Sequence, residues 1–332
     1  MVRSTNKSPY SDISIELLQN HESNEYSRIS VIIPTFNHVR YIEQTIKSVL
    51  LQNHPNIELI VIDGGSDDGT VDIIKKYEKF ISYWVSEKDR GQTHAINKGM
   101  ERATGAILAY LNSDDIYLPG ALIAVAEFAK QNPDVDLIYG GCRLIDQEGN
   151  RIGERWGNIS TLSEIINLWG VWWKKRNYVQ PEVFWTRRIA HKVGRFREDL
   201  YFVMDYEFWL RIFLASGKAG KIDKELAAFR ITPEQKSRQS ANVVVELLKV
   251  IEPVLWDSRL PITAYQRRQL QSRWLYQCCF LPEVDKSVAA GEKIFTRWLR
   301  LLGVIVRHPG MLAFAALRSR MISGLRRLKP GP

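Results

Sequence analysis

The chain has 332 residues, of which 45% are hydrophobic and 25% are charged. This is the composition of a globular protein with a sizeable core, long enough for two domains or for one large domain with an appendage. The net charge of +9 arises at the C-terminal end, where residues 293–332 contain nine Lys or Arg and no Asp or Glu, while the rest of the chain is balanced. A nucleic-acid-binding protein would carry positive charge over its body, so that class is disfavoured.

The first part of the chain alternates between two kinds of pattern. Residues 1–27 are polar and without periodicity, and we expect a flexible lead-in. Short apolar runs then alternate with segments of helical spacing, which predicts an α/β fold with a mostly parallel open sheet and helices on both faces. The continuous apolar runs indicate strands buried on both sides. The predicted strands are 29–33, 57–62, 81–85, 106–111 and 137–139.

This alternation ends near residue 140. A hairpin is predicted over 139–151, mixed α and β structure over 182–226, and helices from 241 onward. We therefore predict a globular domain over 28–240, with halves 28–140 and 141–240, followed by a helical basic extension over 241–332. The three cysteines, Cys142, Cys278 and Cys279, are too few for a disulfide framework, so we expect reduced thiols and a cytoplasmic protein.

Polar residues follow each of the first four predicted strands. Parallel strands end at one edge of a sheet, and in open α/β sheets ligands bind in the crevice beyond that edge. We therefore expect these polar residues to lie close together. They are Pro34, Thr35, Phe36 and Asn37; Asp63; Ser86, Glu87, Lys88 and Asp89; and Asn112, Ser113, Asp114 and Asp115.

The adjacent carboxylates of Asp114 and Asp115 are costly at the end of a buried strand unless a cation compensates them. Oxygen ligands suit Mg²⁺ or Mn²⁺, and Mg²⁺ takes one or two protein carboxylates together with substrate phosphates. A turn with capping aspartates is the alternative. Neither the phosphate-binding loop of ATPases nor the GxGxxG pattern of dehydrogenases is present.

Four segments together resemble the family 2 glycosyltransferases, over about residues 28–235. They are "SVIIPTFN", "ELIVIDGGSDDGT", "WVSEKDRGQTHAINKGMERATGAILAYLNSDD" and "YVQPEVFWTRRIAHKVGRFREDLYFVMDYEFWLRI". The resemblance implies a Rossmann-like GT-A fold. It also implies an inverting transfer from a nucleoside-diphosphate sugar, UDP- or dTDP-linked by preference, with Mg²⁺ or Mn²⁺ as cofactor.

The resemblance also assigns roles to single residues. Asp205 matches the catalytic base, which deprotonates the acceptor hydroxyl, and Glu207 is the alternative base. Asp114 matches a residue that contacts the ribose and the metal, and Asp115 a residue on the metal. The residues that match the nucleotide-sugar site are Pro34, Thr35, Asn37, Asp63, Arg90, Gly91 and Asn97.

Two positions depart from the family pattern. Many relatives have Asp where this chain has Asn112, and an amide oxygen is a weaker metal ligand. Relatives often have a His where Thr232 stands, so this chain lacks that candidate for a third contact to metal or diphosphate, and Arg230 or Lys236 is a candidate replacement. The signature of processive synthases is not apparent, so we expect transfer of one sugar or a few.

The acceptor side of the predicted site is rich in tryptophan. Trp172 and Trp173 are candidates for a stacking wall against a sugar or a lipid, with core packing as the alternative. Gln180 and Glu182, on either side of Pro181, are candidate acceptor contacts. The acceptor itself is expected to be a glycan or a lipid-linked precursor of a cell-surface polysaccharide.

The basic tail has two amphipathic stretches, separated by Pro309-Gly310, with apolar faces beside basic stripes. Helices of this kind can lie on an anionic membrane, which predicts a peripheral protein on the inner face of the cytoplasmic membrane. Packing against the catalytic domain or a second subunit is the alternative. Two other functions stay open: a sugar-phosphate nucleotidyltransferase, and an inactive relative that only binds glycans.

Overall fold

The computed structural model of the chain describes residues 26–172, 174–233, 235, 240–290 and 294–313. The chain divides into two compact units, Met1–Gln239 and Ser240–Pro332.

The first unit is built on one sheet, with nine strands among the described residues. They are β1 (Ile29–Thr35), β2 (Ile57–Asp63), β3 (Tyr83–Ser86), β4 (Ile107–Tyr110), β5 (Ile116–Tyr117), β6 (Leu137–Ile145), β7 (Arg151–Trp156), β8 (Val183–Thr186) and β9 (Ala219–Arg230). The order across the sheet is β3-β2-β1-β4-β8-β6-β9-β5, and β7 pairs with β6.

The sheet has a parallel half and a mixed half. Strands β1 to β4 pair in parallel, as predicted. Beyond β4 the pairs β4–β8, β6–β8, β6–β7 and β5–β9 are antiparallel, and only β6–β9 is parallel. The predicted hairpin is β6–β7, and the short predicted strand at 137–139 is the start of β6.

Helices cover this sheet and connect its strands. In the first unit they are α1 (Ile42–Leu50), α2 (Thr70–Tyr77), α3 (Gln92–Arg102), α4 (Ala121–Gln131), α5 (Leu162–Ile165), α6 (Leu168–Val171), α7 (Arg187–Val193) and α8 (Met204–Leu214). A 3₁₀ turn, Gln180–Glu182, precedes β8.

Strand β1 explains why helices lie on both faces. All seven of its residues are buried. Ile29, Val31 and Ile33 share a core cluster with residues of α1, α2 and α4. Ile32 points the other way, and a side chain at Gly99 of α3 would overlap it. Successive residues of a strand face opposite sides, so an unbroken apolar run requires cover on both.

The second unit is helical, as predicted. Its helices among the described residues are α9 (Ser240–Trp256), α10 (Ala264–Leu275), α11 (Leu281–Ala289) and α12 (Ile294–Arg307), with a π turn at Tyr276–Phe280 and a 3₁₀ turn at Pro309–Ala313. A small core joins Tyr276, Leu301, Val304, Ile305 and Met311. No helix within the described ranges is both long and apolar enough to cross a bilayer.

The apolar face predicted on the first amphipathic stretch of the tail is partly buried in the helical unit and partly exposed to solvent. Leu301 and Ile305 are each only 6% exposed inside the helical unit, whereas Leu302 and Val306 are 43% and 78% exposed. The second predicted stretch, after Pro309-Gly310, lies mostly outside the described residues.

Candidate active site

The ends of the parallel strands meet at one edge of the sheet, as the sequence predicted. The strand register places Thr35 of β1 beside Asp63 of β2, and Asp63 beside Ser86 of β3. Strand β4 lies on the other side of β1 and ends at Tyr110, directly before Asn112. Residues separated by up to 80 positions in the sequence therefore lie at one edge of the sheet.

Asp63 is fully buried and organises the loop that follows β2. Its carboxylate accepts hydrogen bonds from the backbone N–H groups of Gly65 and Ser66, at 3.0 and 2.9 Å. It also accepts from the hydroxyls of Ser66 and Ser86, at 2.5 and 2.6 Å. These four donors hold the carboxylate of Asp63 in place at the end of β2. Asp63 is the residue that the resemblance assigns to contact with the nucleotide base.

The loop after β1 is joined to the loop after β2. Asn37 has a left-handed backbone, with φ of 52°. Its N–H donates to Ser66 Oγ at 2.8 Å, and its side-chain oxygen accepts from the N–H of Asp67 at 3.1 Å. The side chain of Phe36 is 57% exposed beside Gly64. The two loops therefore form one rigid rim with an aromatic ring on it.

Asp114 and Asp115 differ in environment although they are neighbours. Asp115 is fully buried; its Oδ1 accepts the N–H of Arg230 at 2.8 Å, and its Oδ2 accepts the amide of Asn112 at 3.3 Å. Asp114 is only partly buried. Of the two carboxylates, Asp114 is the one better placed to meet a ligand.

The pair carries negative charge that the protein does not fully compensate. Burial and the adjacent Asp114 raise the pKa of Asp115 well above its usual range. Burial also raises the pKa of Asp114, against the opposing effect of His38, Arg230 and Gln235. A divalent cation would relieve this repulsion, so the residues fit the predicted metal. Within the described ranges, no group of three or more His, Cys, Asp or Glu is placed to hold a metal ion, so substrate oxygens would have to complete the shell.

Arg230 lies beneath the acidic pair and is only 1% exposed. Its guanidinium donates to the backbone oxygens of Asp114, Asp146 and Gln147, at 2.8 to 3.1 Å, and to the side chain of Gln44. These contacts occupy the group that we considered as a replacement for the missing His. Arg230 therefore positions the acidic loop, Thr232 is 93% buried next to it, and Lys236 lies outside the described residues.

Asn112 belongs to a chain of amide groups. Its side-chain oxygen accepts from Gln92 Nε2 at 2.6 Å, and its nitrogen donates to Gln180 Oε1 at 3.2 Å. Gln180 in turn donates to the backbone oxygen of Tyr110 at 2.6 Å. The amide at this position, where many relatives have Asp, thus links α3, β4 and the 3₁₀ turn.

Asp205 approaches the same edge from the second residue of α8. It is partly exposed, and its Oδ1 accepts its neighbour's N–H at 2.7 Å. After burial, the charges of Asp205 and Asp115 are the largest causes that raise the pKa of Tyr110, so both carboxylates lie near that ring. Glu207, the alternative base, is instead paired with Arg211 at 2.8 Å and is 6% exposed.

The predicted nucleoside-enclosing residues hold the acceptor-side segment in this structure. Arg90 pairs with Glu198 at 2.7 Å. Asn97 is 3% exposed and exchanges hydrogen bonds with the backbone of Phe196, both at 2.9 Å. Gly91 has a φ of 112°, which favours glycine at the start of α3. Arg90 and Asn97 therefore connect the two halves of the first unit.

The candidate acceptor residues lie in two environments. Trp172 packs edge-on against Tyr206, next to Asp205, with ring centroids 5.7 Å apart, and Trp173 lies outside the described residues. Glu182 is fully buried; its Oε1 accepts the N–H of Val179 at 3.0 Å, and burial raises its pKa well above the usual range. Glu182 is therefore sealed from an acceptor, whereas Trp172 packs against the residue that follows Asp205 in the chain.

Sequence reasoning missed His38. Its Nδ1 lies 2.5 Å from Ser113 Oγ, and its charge acts on Asp114. The residue follows Asn37 directly, so its place in the loop after β1 was the available signal. His38 brings a titratable ring to the partly exposed carboxylate of the acidic pair.

A model of the family described as Glycosyl transferase family 2 matches residues 30–198, which is half of the chain and contains the strand-end residues from Thr35 to Asp115. The chain belongs to glycosyl transferase family 2. The predicted family is thereby confirmed, and glycosyltransferase is the enzyme class of this family. The match ends before Asp205.

Curated relatives of this family 2 chain cover it only in part. An uncharacterized glycosyltransferase of Rickettsia conorii is 30% identical over 71% of the chain, which spans 38% of that protein. The PGL/p-HBAD biosynthesis glycosyltransferase of Mycobacterium bovis is 30% identical over 55% of the chain and 69% of its own length. The chain therefore spans well under two thirds of the first of these relatives.

Solved structures confirm the predicted GT-A fold. The S. aureus protein TarS in complex with UDP-GlcNAc superposes with a TM-score of 0.58, at 18% identity, over 75% of this chain and 71% of that one. The mannosyltransferase PcManGT of Pyrobaculum calidifontis, in complex with GDP-Man and Mn²⁺, has a TM-score of 0.54, at 17% identity, over 97% of this chain and 92% of that one.

Proposed function

We propose that the chain is an inverting glycosyltransferase that moves a sugar from a nucleoside-diphosphate sugar to a hydroxyl acceptor. The observation that carries this proposal is that Asp115, in the loop after β4, and Asp205, on α8, both lie near the ring of Tyr110, and that the partly exposed Asp114 directly precedes Asp115. One partly exposed carboxylate is available for the donor side and another for the acceptor side.

In the proposed reaction Asp205 takes the proton of the acceptor hydroxyl. The acceptor oxygen then forms a bond to the anomeric carbon while the bond from that carbon to the diphosphate oxygen breaks on the opposite face, so the configuration inverts. A positioned carboxylate base contributes roughly 10²–10⁴-fold to such a step. Its partial exposure at the start of α8 lets it meet an acceptor from solvent.

Asp114, with Asp115 behind it, would hold Mg²⁺ or Mn²⁺. When bound, the metal would neutralise the negative charge of the diphosphate leaving group. The chain's own contribution is to fix Asp114: Arg230 holds its backbone oxygen at 2.8 Å, and Ser113 is 2.5 Å from His38. Solved relatives in the fold are described in complexes with UDP-GlcNAc and with GDP-Man and Mn²⁺, which supports this donor class.

For the donor base we favour uracil or thymine. Asp63, which the resemblance assigns to the base contact, is buried at the end of β2 under four donors, so the imide N–H of a pyrimidine would take the place of a serine hydroxyl there. Phe36, exposed on the rim beside Gly64, offers a ring against which a base can stack. The side chain of Asp89 also lies against Gly64: a Cβ added at Gly64 would be 2.9 Å from Asp89 Oδ2.

For the acceptor we favour a lipid-linked or cell-surface glycan precursor at the inner face of the cytoplasmic membrane. The basic segment 293–332 and the exposed Leu302 and Val306 support this choice. Vesicle sedimentation of the full chain and of a variant lacking residues 293–332 tests it. Equal binding of both proteins to anionic vesicles would show that the tail does not attach the chain to the membrane.

The decisive experiment is a screen of sugar nucleotides with Mn²⁺, with and without lipid-linked acceptors. Acceptor-dependent release of nucleoside diphosphate is the expected result. Release of pyrophosphate would instead identify a nucleotidyltransferase. Calorimetry with UDP and Mn²⁺ that showed no binding, together with absent turnover, would indicate the inactive glycan-binding relative.

A further inference from the structure

His38 is a partly exposed histidine in the loop after β1, and its ring reaches the loop after β4. It follows Asn37 directly and stands shortly before α1 begins. Its backbone N–H donates to Thr70 Oγ1 at 3.0 Å, and its backbone oxygen accepts from the N–H groups of Tyr41 and Ile42, both at 3.0 Å. The backbone that carries the ring is therefore held from two sides.

One nitrogen of the ring is fixed by the loop after β4. Nδ1 of His38 lies 2.5 Å from Ser113 Oγ, and Ser113 is 1% exposed. The backbone oxygens of Ser113 and Asp115 accept in turn from Thr45 Oγ1, at 2.9 and 2.7 Å. Ser113 directly precedes Asp114, so the ring lies beside that partly exposed carboxylate. Burial raises the pKa of Asp114, and the charge of His38 is the largest of the effects that lower it.

The partner of Nδ1 decides which nitrogen of the neutral ring carries the proton. Among the described residues, Ser113 Oγ makes no other hydrogen bond. If Nδ1–H donated to this oxygen, the buried hydroxyl proton of Ser113 would have no acceptor, which is costly. The hydroxyl therefore donates to Nδ1, and the neutral ring carries its proton on Nε2. The protonated ring carries a proton there as well, so Nε2 is a donor in both states.

The second nitrogen is open to a ligand. No side chain or backbone oxygen in the described part of the chain accepts a hydrogen bond from His38 Nε2, and solvent reaches this atom, in contrast to the buried Nε2 of His54. The N–H group is held at the edge of the sheet where the parallel strands end, next to Asp114. A fixed donor in this place can bind an anionic oxygen that enters the site.

We propose that His38 Nε2 donates a hydrogen bond to a diphosphate oxygen of the sugar nucleotide, an inference that rests on the proposed glycosyl transfer. In that reaction the electron pair of the broken bond stays on the diphosphate oxygen, whose negative charge grows. The proton stays on Nε2, and its hydrogen bond strengthens as the charge develops. A role as metal ligand fits less well, because no group of three His, Cys, Asp or Glu within the described ranges is placed to hold a metal ion.

Two variants separate the two nitrogens of the ring. His38→Asn places an amide near the position of Nδ1, so it keeps a contact with Ser113 but has no donor near Nε2. His38→Gln places an amide N–H near Nε2 and keeps that donor. We expect a nucleoside diphosphate to bind about 10–100-fold more weakly to His38→Asn than to the parent chain, and His38→Gln to keep most of the affinity. A histidine that only held Ser113 would give the opposite order.

Equilibrium dialysis of the full chain with Mn²⁺ measures these affinities. The probes are UDP, dTDP and GDP, each compared with its own nucleoside, which lacks the diphosphate. Affinity for the nucleoside should be the same in the parent chain and in both variants. His191→Asn, at an exposed histidine on α7, is the matched control and should bind every probe as the parent chain does.

The outcomes distinguish this inference from the proposed function. The role of Nε2 would be overturned by equal diphosphate affinity of His38→Asn and the parent chain, by a larger loss in His38→Gln than in His38→Asn, or by an equal loss for diphosphate and nucleoside. Each of these results leaves the proposed transfer standing. A parent chain that bound none of the three diphosphates would overturn the proposed function and this inference with it.

Discussion

The backbone N–H of Arg230 donates to Asp115 Oδ1 at 2.8 Å, across 115 positions of sequence. The same arginine donates a side-chain hydrogen bond to the backbone oxygen of Asp114 at 2.8 Å. The end of β9 therefore holds the loop after β4 through two hydrogen bonds, one donated by the backbone and one by the side chain of the same residue. The buried Asp115 holds the acidic loop in place, and this leaves the carboxylate of Asp114 partly exposed.

Arg230→Lys should destabilise the fold. A lysine has one point of attachment, so it would leave most of the buried acceptors of Arg230, the backbone oxygens of Asp114, Asp146 and Gln147, without a partner. We expect the free energy of unfolding to fall by about 2–4 kcal/mol in urea titrations. Arg40→Lys, at a side chain that is 58% exposed, is the matched control and should change stability little. Equal stability of both variants would remove Arg230 from its structural role.

Asp205→Asn and Glu207→Gln should have opposite signatures. Asp205→Asn removes the proposed proton acceptor, and we expect kcat to fall by roughly 10²–10⁴-fold with donor binding intact. Glu207→Gln breaks the partly buried pair with Arg211, so we expect a loss of about 1–3 kcal/mol of stability while kcat is largely kept. Steady-state kinetics and urea unfolding of both variants measure this. Kinetics in which Glu207→Gln is the inactive variant would exchange the two roles.

His54 should make stability depend on pH. Burial lowers its pKa from 6.5 to about 4, and the ring is 6% exposed. The folded state therefore disfavours the protonated ring, so the stabilisation is fully present above pH 6.5 and is lost as pH falls toward 4. The loss should reach about 2–3 kcal/mol.

Urea titrations across this pH range check the prediction. Gln can accept the N–H of Asn56, which now binds His54 Nδ1 at 3.1 Å, without titrating. His54→Gln should therefore show a shallower loss of stability than the parent chain, and His191→Gln on α7 should not. If the free energy of unfolding falls with pH in parallel for the parent chain and His54→Gln, the His54 ring does not contribute to the pH dependence of stability.

Much of the nucleotide side of the site could be predicted because its signals are local. Apolar runs announce buried strands, and parallel strands bring their ends together, so Asp63 and Asp114 were placed at one edge without any contact information. The second half of the sheet had no such signal. Strand β8 has four residues, and its insertion between β4 and β6 depends on pairings with distant segments.

The same limit explains the residues whose roles changed. Arg230 looked like a spare cation because its sequence neighbourhood does not reveal the four oxygens that surround it. Glu207 stayed an alternative base because a non-helical segment could have exchanged its direction with that of Asp205, and the sequence does not reveal its pairing with Arg211 on α8. In each case the deciding contact is a packing partner, and packing partners are not encoded by periodicity.

Asn112→Asp tests the departure from the family pattern. A carboxylate at this position would lie about as close to Asp115 Oδ2 as the present amide nitrogen, at 3.3 Å. Without metal the two buried negative charges would repel, so we expect the variant to unfold at a lower temperature than the parent chain in EDTA. With Mn²⁺ and UDP an added carboxylate should strengthen metal binding by about 10–100-fold. Thermal unfolding in EDTA and calorimetry with Mn²⁺ measure the two effects.

The change also removes the hydrogen bond that Asn112 donates to Gln180. A lower stability in EDTA would therefore not by itself measure the repulsion between the two carboxylates. Asn53→Asp, an exposed change of the same chemistry away from the strand ends, controls for the added charge. A variant whose melting temperature drops in EDTA and recovers with Mn²⁺ would place position 112 within reach of the metal. A drop that Mn²⁺ does not reverse, with unchanged affinity for the metal, would show that Asn112 serves only the amide chain from Gln92 to Gln180.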